Sequence, residues 1–192
     1  MYSCLFNSDN KPLLPGLFFT CYDGYMVTGT VDNPVNNVNF FANAVPIATS
    51  KTDTTKSIYG ATSSISDISV GTNGCITTAS TPDEFSVQWL GYFKPNSTTS
   101  WYFRTTSDDC SFLWIGENAL KGFTTTNANV NNGGFHAEKT VESGALSLNA
   151  NEYYALRIQF GEAGGGNVMK VEFSSNNKAT WSSDGSGNYF HT

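Results

Sequence analysis

The stretch FSVQWLGYF, residues 85–93, decides the fold class of this chain. Its odd-numbered positions carry Phe, Val, Trp, Gly and Phe, and its even-numbered positions carry Ser, Gln, Leu and Tyr. Alternation with a period of two is typical of a β-strand, and apolar residues on both sides indicate a strand that is half buried or covered on both faces. The pattern stops at the turn-forming sequence KPNS, residues 94–97, so a strand is predicted over residues 85–93.

Similar alternation recurs along the rest of the chain. WYFRTT at 101–106, SFLWIG at 111–116 and YYALRIQF at 153–160 predict strands, and Met169, Val171 and Phe173 mark another. Residues 24–80 are rich in Thr, Ser and Asn, which favours short strands and long loops. No segment has a sustained helical stripe. The prediction is an all-β fold, a single antiparallel, jelly-roll-like β-sandwich with long loops at one end.

Composition limits the domain count and the partners. A chain of 192 residues is long enough for one all-β domain, predicted here over residues 1–192. Ten Lys and Arg against sixteen Asp and Glu give a formal charge of −6, so nucleic acid is excluded as a partner. No stretch approaches the roughly 20 apolar residues of a membrane span.

The four cysteines, Cys4, Cys21, Cys75 and Cys110, allow three pairings, and without a C-x-x-C pair they argue against a zinc site.

Two adjacent carboxylates, Asp108 and Asp109, lie between two of the predicted strands. Carboxylate oxygens are preferred ligands of hard cations such as calcium. Neighbouring side chains of a regular strand point to opposite faces, so this pair can share one ion only if a turn or a cis peptide interrupts the alternation. The alternative is an ordinary turn with two solvated aspartates.

A glycine-rich loop, GEAGGGN at residues 161–167, separates two further predicted strands. Calcium takes six to eight oxygen ligands, and backbone carbonyls of such a loop are suitable donors. The alternative interpretation is a flexible hairpin connection. If the loop meets the aspartates at one end of the sandwich, the two loops together predict a calcium site with coordination positions left open for a ligand.

These ordered motifs resemble a known family. FSVQWLGYF, WYFRTTSDD and LWIG, followed by YYALRIQF and the glycine loop, are similar to the protective-antigen-type domain, also called PA-fourteen (PA14) or GLEYA. The family includes sugar-binding heads of fungal flocculins and epithelial adhesins and of bacterial adhesins. The resemblance covers about residues 13–175, with extensions at both ends.

The resemblance implies that Asp108 and Asp109, joined by a cis peptide, bind calcium and that calcium binds vicinal hydroxyls of a terminal sugar. Fungal members place an Asn and a Trp in the second loop, whereas the glycine triplet here is closer to the bacterial version. Of the site residues, Asp108 and Asp109 carry over from the family directly. With the glycine loop as the source of further oxygens, the candidate metal ligands are Asp108, Asp109, Gly164, Gly166 and Asn167. The candidate sugar-binding residues are Asp108, Asp109, Glu162, Gly165 and His136. His136 belongs to the loop NNGGFH at residues 131–136, which either borders the site or forms an ordinary Asn-Gly turn.

The predicted function is therefore a calcium-dependent lectin or adhesin module that attaches its owner to glycans. Some domains of this family are structural, and the N-terminus lacks the basic and apolar regions of a secretory signal. The alternative is a virion or capsid protein of a large virus or phage, with other virion or surface proteins as partners. Its subunit contacts would use apolar N-terminal residues: Leu5, Phe6, Leu13, Leu14 and Leu17. The two alternatives predict an extracellular or cell-surface location, or a virion.

Catalysis is not expected. His136 and His191 are the only histidines, and neither lies in a recognisable nucleophile motif. The carboxylates of a glycosidase flank the scissile bond about 5–9.5 Å apart, which adjacent residues sharing one ion would not do. Trp89 and Trp114 lie in apolar strand patterns and are predicted to be core residues, whereas Trp101 and Trp181 are the tryptophans left as candidates for exposure.

Overall fold

A computed structural model of the protein describes residues 12–44, 59–62, 65 and 83–192. Within these ranges nearly all regular structure is β-strand. The helices are short, α1 (Phe40–Asn43), α2 (Glu117–Leu120) and a 3-10 helix (Thr125–Asn127). No helix among the described residues has the length and apolar character needed to cross a membrane. The strands are β1 (Leu14–Pro15), β2 (Leu17–Asp23), β3 (Val27–Thr30), β4 (Asn33–Asn36), β5 (Tyr59–Thr62), β6 (Phe85–Phe93), β7 (Thr99–Asp108), β8 (Cys110–Ile115), β9 (Val130–Asn132), β10 (Lys139–Glu142), β11 (Leu146–Leu148), β12 (Tyr154–Glu162), β13 (Val168–Ser174) and β14 (Tyr189–His191).

The strands form two main antiparallel sheets. The larger sheet runs in the order β1-β14-β6-β12-β8-β9, with β2 also pairing with β6 and β5 pairing with β2. The smaller sheet has β7 at its centre, paired with β10, β11 and β13. A separate hairpin is formed by β3 and β4. The predicted antiparallel all-β sandwich is therefore confirmed, and β6 has the predicted bounds.

The core between the two sheets explains why apolar residues occupy alternate positions in the predicted strands. Leu156, Ile158 and Phe160 of β12 face the smaller sheet, where they share one cluster with Phe103 of β7 and Val171 of β13. Because successive residues of a strand point to opposite faces, the intervening residues of β12 lie on the outer face of the larger sheet.

That outer face is also covered. Phe112 and Trp114 of β8 pack there with Met26, Val27 and Phe41, from the hairpin and α1. Both faces of β8 are thus shielded from water, and all of its residues are buried. Strands covered on both sides lose the polar half of the alternation, which accounts for the continuous apolar character of SFLWI.

Several individual predictions are resolved by the structure. Trp89 and Trp114 are buried as predicted, and Trp101 is also buried rather than exposed. Leu17, proposed for a contact surface, is a core residue, because β2 packs it between the sheets; Leu14 is exposed. Leu5 and Phe6 lie outside the described residues.

The cysteines differ in chemical state. Cys21 is disulfide-bonded. Cys110 is a buried free thiol, and burial raises its pKa to about 12. Cys4 and Cys75 lie outside the described residues.

Phe93 is the aromatic centre of the core, and its replacement provides a test of this packing. Its ring is fully buried and meets the rings of Trp101, Phe103 and Phe173 at centroid distances of 5.1, 5.0 and 5.2 Å. We expect Phe93→Ala to lower the free energy of unfolding by about 3–5 kcal/mol in urea denaturation, because the cavity left behind cannot close fully. Val35→Ala, at an exposed position, is the control and should change stability by less than about 0.5 kcal/mol. Equal midpoints for the two variants would contradict the packing.

Candidate functional site

Two connections between the sheets meet at one end of the sandwich. The chain leaves the smaller sheet at the end of β7 and enters the larger one at β8, and it returns from the larger sheet at the end of β12 to β13. The glycine loop is therefore a crossover between sheets rather than a hairpin. A Cβ atom placed on Gly166 would lie 3.7 Å from Asp108 Oδ2, so the two predicted loops do lie together.

Asp109 holds the two crossovers and a third loop together. Its peptide bond with Asp108 is cis. Its Oδ2 atom accepts a hydrogen bond from the backbone N–H of Ala163, at 2.9 Å, and its Oδ1 atom accepts one from His136, at 3.0 Å. The side chain is buried, and both of its oxygens keep lone pairs beyond those used by the two amides.

Glu162, the last residue of β12, adds a third carboxylate. Its Oε1 atom accepts the backbone N–H of Gly164 at 2.7 Å. Its Oε2 atom is buried with no hydrogen-bond partner in the described part of the protein. One carboxylate oxygen from each of Asp108, Asp109 and Glu162 lies within 4.8 Å of the others.

The electrostatics of this three-carboxylate cluster favour a cation. Among the described side chains, none of the three forms an ion pair with Lys or Arg. Burial, and then the charge of Asp109, raise the pKa of Glu162 from 4.5 to about 8, and the same two causes raise the pKa of Asp108. Buried like charges are costly unless a positive charge or a proton compensates them.

A buried network of hydrogen-bonded polar side chains lies beside the Asp108-Asp109 junction. The Ser111 hydroxyl bonds the hydroxyls of Ser107 and Thr105, each at 2.8 Å, which ties β8 to β7 across the Asp108-Asp109 junction. Asn132 of β9 donates to Ser107 and to the carbonyl of Lys139 through its amide nitrogen. These bonds fix the path of the backbone on both sides of the junction, because buried polar groups without partners are unfavourable.

The other residues predicted for the site have distinct positions. Gly164 donates its N–H to Glu162, while Gly165 adopts a φ of +98°, a conformation that favours glycine. His136 contributes its backbone N–H to Asp109, while its ring nitrogens lie 2.9 Å and 3.2 Å from the carbonyl oxygens of Ala137 and Asn132. Asn167 lies directly before β13, at the end of the glycine loop.

Asp83 was not identified from the sequence. Its carboxylate accepts the N–H of Gly165 at 3.3 Å, and a Cβ atom on Gly164 would lie 3.4 Å from its Cγ atom. Asp83 reaches the loop because the antiparallel register pairs Phe85 with Glu162, which places the start of β6 beside the end of β12. The only sequence signal was an acidic residue just before a predicted strand.

The cluster fits a hard divalent cation. Calcium binds oxygen ligands at about 2.3–2.6 Å, so two oxygens on one ion are at most about 5 Å apart, and the three carboxylate oxygens, all within 4.8 Å of one another, meet this limit. The unpartnered, buried Glu162 Oε2 atom is the kind of atom that a bound cation would satisfy. Three carboxylates do not fill a shell of six to eight oxygens, so backbone carbonyls, water or a ligand would be needed to complete it.

Comparisons with known proteins agree with this architecture. Residues 85–175 match the family described as the GLEYA domain. A comparison with curated protein sequences gave no match. The resemblance to the PA14/GLEYA-type domain is thus confirmed, and the matched segment runs from the start of β6 to the end of β13.

Solved structures of this class superpose over nearly the whole chain. The A domain of epithelial adhesin 6 from Candida glabrata, in complex with Galb1-3GlcNAc, has a TM-score of 0.66 at 14% identity and covers 95% of this chain and 89% of its own. The PA14 sugar-binding domain of an RTX adhesin has a TM-score of 0.64 at 16% identity, with 92% and 98% covered. The PA14 domain of the antifreeze protein MpAFP has a TM-score of 0.62 at 16% identity, with 97% and 95% covered. At these identities the likeness shows the shared fold.

The raised pKa of Glu162 predicts a pH dependence of stability when no divalent cation is present. The folded chain binds this proton more tightly than the unfolded chain, so the free energy of unfolding should fall as pH rises from about 4.5 through about 8. Each pKa unit corresponds to about 1.4 kcal/mol, or about 3–6 °C for a chain of this size. With chelator present, we expect wild type to lose at least that much melting temperature relative to Glu162→Gln between pH 5.5 and 8.5.

The matched control is Glu117→Gln, which removes an exposed carboxylate with a side chain 76% accessible. It should show the wild-type pH dependence. Parallel melting curves for wild type and Glu162→Gln across this range would show that Glu162 is not held in an unfavourable environment.

Proposed function

We propose that this protein is a calcium-dependent carbohydrate-binding module of the lectin or adhesin type. The observation that carries the proposal is the three-carboxylate cluster, in which Glu162 keeps a buried oxygen without a partner among the described residues. Asp108, Asp109 and Glu162 would hold the ion. Bound calcium supplies positive charge and coordination positions that vicinal sugar hydroxyls can occupy.

The chain's own residues would shape the site around that ion. Asp109 links the glycine loop to the loop of His136 through two backbone amides, so these three segments are held in one arrangement. Residues 164–166 of the glycine loop are all glycines, so they have no side chains that could block access to the carboxylates. A terminal sugar can therefore approach the cluster closely.

The comparisons support the same class of ligand. Epithelial adhesins 6 and 9 were solved with Galb1-3GlcNAc, and the RTX adhesin domain is described as sugar-binding. We accordingly propose glycans with a terminal sugar as the partners and the cell surface or extracellular space as the location. The proposed role is attachment rather than catalysis.

Glycan binding is the first test of this proposal. On a glycan array, wild type should bind a set of terminal sugars in calcium and lose them in excess chelator, because the hydroxyl-binding positions belong to the ion. Calcium-independent hits would contradict the calcium mechanism, and an array without hits in both conditions would contradict the lectin assignment.

Asp108→Asn tests the metal ligands directly. The substitution keeps the size of the side chain and removes one charge, so calcium affinity measured by calorimetry should fall about tenfold or more. Glu117→Gln removes one charge at an exposed position outside the cluster and should bind calcium within about twofold of wild type. Wild-type affinity in a folded Asp108→Asn protein would rule Asp108 out as a ligand.

Asp83 provides a separate prediction about the glycine loop. Asp83→Ala removes both a negative charge and the acceptor for Gly165, whereas Asp83→Asn removes only the charge and keeps an acceptor. We expect weaker calcium binding in both variants, with the larger loss, about fivefold or more, in Asp83→Ala, because hydrogen bonds to charged groups contribute about 1.5–3 kcal/mol. If Asp83→Ala binds calcium as wild type does, Asp83 does not position the loop.

A further inference from the structure

A cavity lies on the outer face of the larger sheet, away from the three-carboxylate cluster. Its volume is about 380 Å³, and Arg157 of β12 lies in its wall. Arg157 is five positions before Glu162 on the same strand, about 16 Å along it, and its side chain points to the opposite face. The cavity is thus separate from the proposed calcium site, and binding there would not depend on a bound ion.

The walls of this cavity are mainly apolar. They come from the strands of the larger sheet and from α2, and Phe18 and Leu120 lie at its solvent-facing rim, with 38% and 63% of their surfaces exposed. No Asp or Glu side chain contributes to the lining, although the chain as a whole carries a charge of −6. The lining residues with apolar or aromatic side chains are Phe18, Leu90, Tyr92, Ala119, Leu120 and Ala155. Leu156 also borders the cavity, although its side chain faces the core between the sheets, and Gly91, His191 and Thr192 complete the lining with Arg157.

Arg157 is one of two basic residues in the lining, the other being His191. Its Nε donates to the carbonyl of Ala119 at 2.9 Å, and its Nη1 donates to Gln88 Oε1. Its guanidinium lies 4.1 Å from the centroid of the Phe123 ring. These contacts fix the plane of the guanidinium and use two of its five N–H donors.

No carboxylate among the described residues pairs with Arg157. Burial lowers the pKa of Arg157, and the neighbouring Tyr22 opposes part of this effect. A partly buried, pre-oriented guanidinium with free donors is suited to a planar carboxylate, because the two groups form parallel charge-assisted hydrogen bonds.

We propose that this cavity is a second ligand site that binds a small carboxylate with an aromatic or aliphatic body. The carboxylate pairs with the free donors of Arg157, and the body packs between Phe18, Tyr92 and Leu120. A volume of about 380 Å³ lies within the range of about 300–1,000 Å³ that is usual for small-molecule sites.

The test uses 2-naphthoate as the probe and its neutral amide, 2-naphthamide, as the comparison compound. Binding is followed by amide chemical shifts of the 15N-labelled chain, with chelator present so that no calcium can bind the carboxylate. We expect saturable shifts at Tyr92, Ala155 and Arg157, and an affinity for naphthoate at least tenfold higher than for naphthamide. Equal affinities, absent shifts or shifts confined to other parts of the chain would overturn the proposal.

Variants separate the charge from the apolar contact. Arg157→Gln should reduce the naphthoate affinity to that of the amide. If this variant does not fold, the exposed rim residue supplies the test: Leu120→Lys should strengthen naphthoate binding severalfold, and Leu120→Glu should weaken it by a similar factor. Naphthamide binding should be the same in the two Leu120 variants. Equal naphthoate affinities in Leu120→Lys and Leu120→Glu would contradict an anion site.

Discussion

The antiparallel register of β12 is the constraint on which the rest of this structure depends. On one side it pairs Glu162 with Phe85 of β6, and on the other it pairs Gly161 with Cys110 of β8. Glu162 is thereby placed next to Asp109 and beside the segment that carries Asp83. A slip of one residue would reverse every side chain of the strand, turning Glu162 out of the cluster and Arg157 into the core between the sheets. The apolar inner face of β12 makes such a slip very unfavourable.

The site depends on a balance between burial and charge. Asp109 and Glu162 are buried, and no Lys or Arg among the described residues forms an ion pair with the cluster, so the cost of bringing the carboxylates together must be offset elsewhere. Backbone amides from Ala163, Gly164 and His136 offset part of this cost. The large sandwich core stabilises the rest of the fold, which lets an unfavourable group of charges persist at one end. A cation would reverse the sign of this local contribution.

Much of the fold was predictable because strand alternation is a local property. The alternation of residues 85–93 predicts the observed bounds of β6. The aspartate pair and the glycine loop are likewise predicted as connections between strands. What the sequence could not give was the partner of each strand. From sequence alone the glycine loop is compatible with a hairpin connection. It is a crossover because β12 and β13 lie in different sheets. The contacts of Asp83 with Gly165 and of Arg157 with Gln88 could not be predicted locally, since each joins residues more than 60 positions apart. Trp101 follows a turn, and its burial depends on Phe93 and Phe173 packing against it.

A crystal structure determined after calcium addition, with an anomalous difference map, would show whether the three carboxylates bind an ion. We predict a single strong peak bounded by oxygens of Asp108, Asp109 and Glu162, with the Glu162 Oε2 atom among its ligands. A map with no peak there at saturating calcium, or with the ion bound elsewhere and the three carboxylates unchanged, would contradict this prediction.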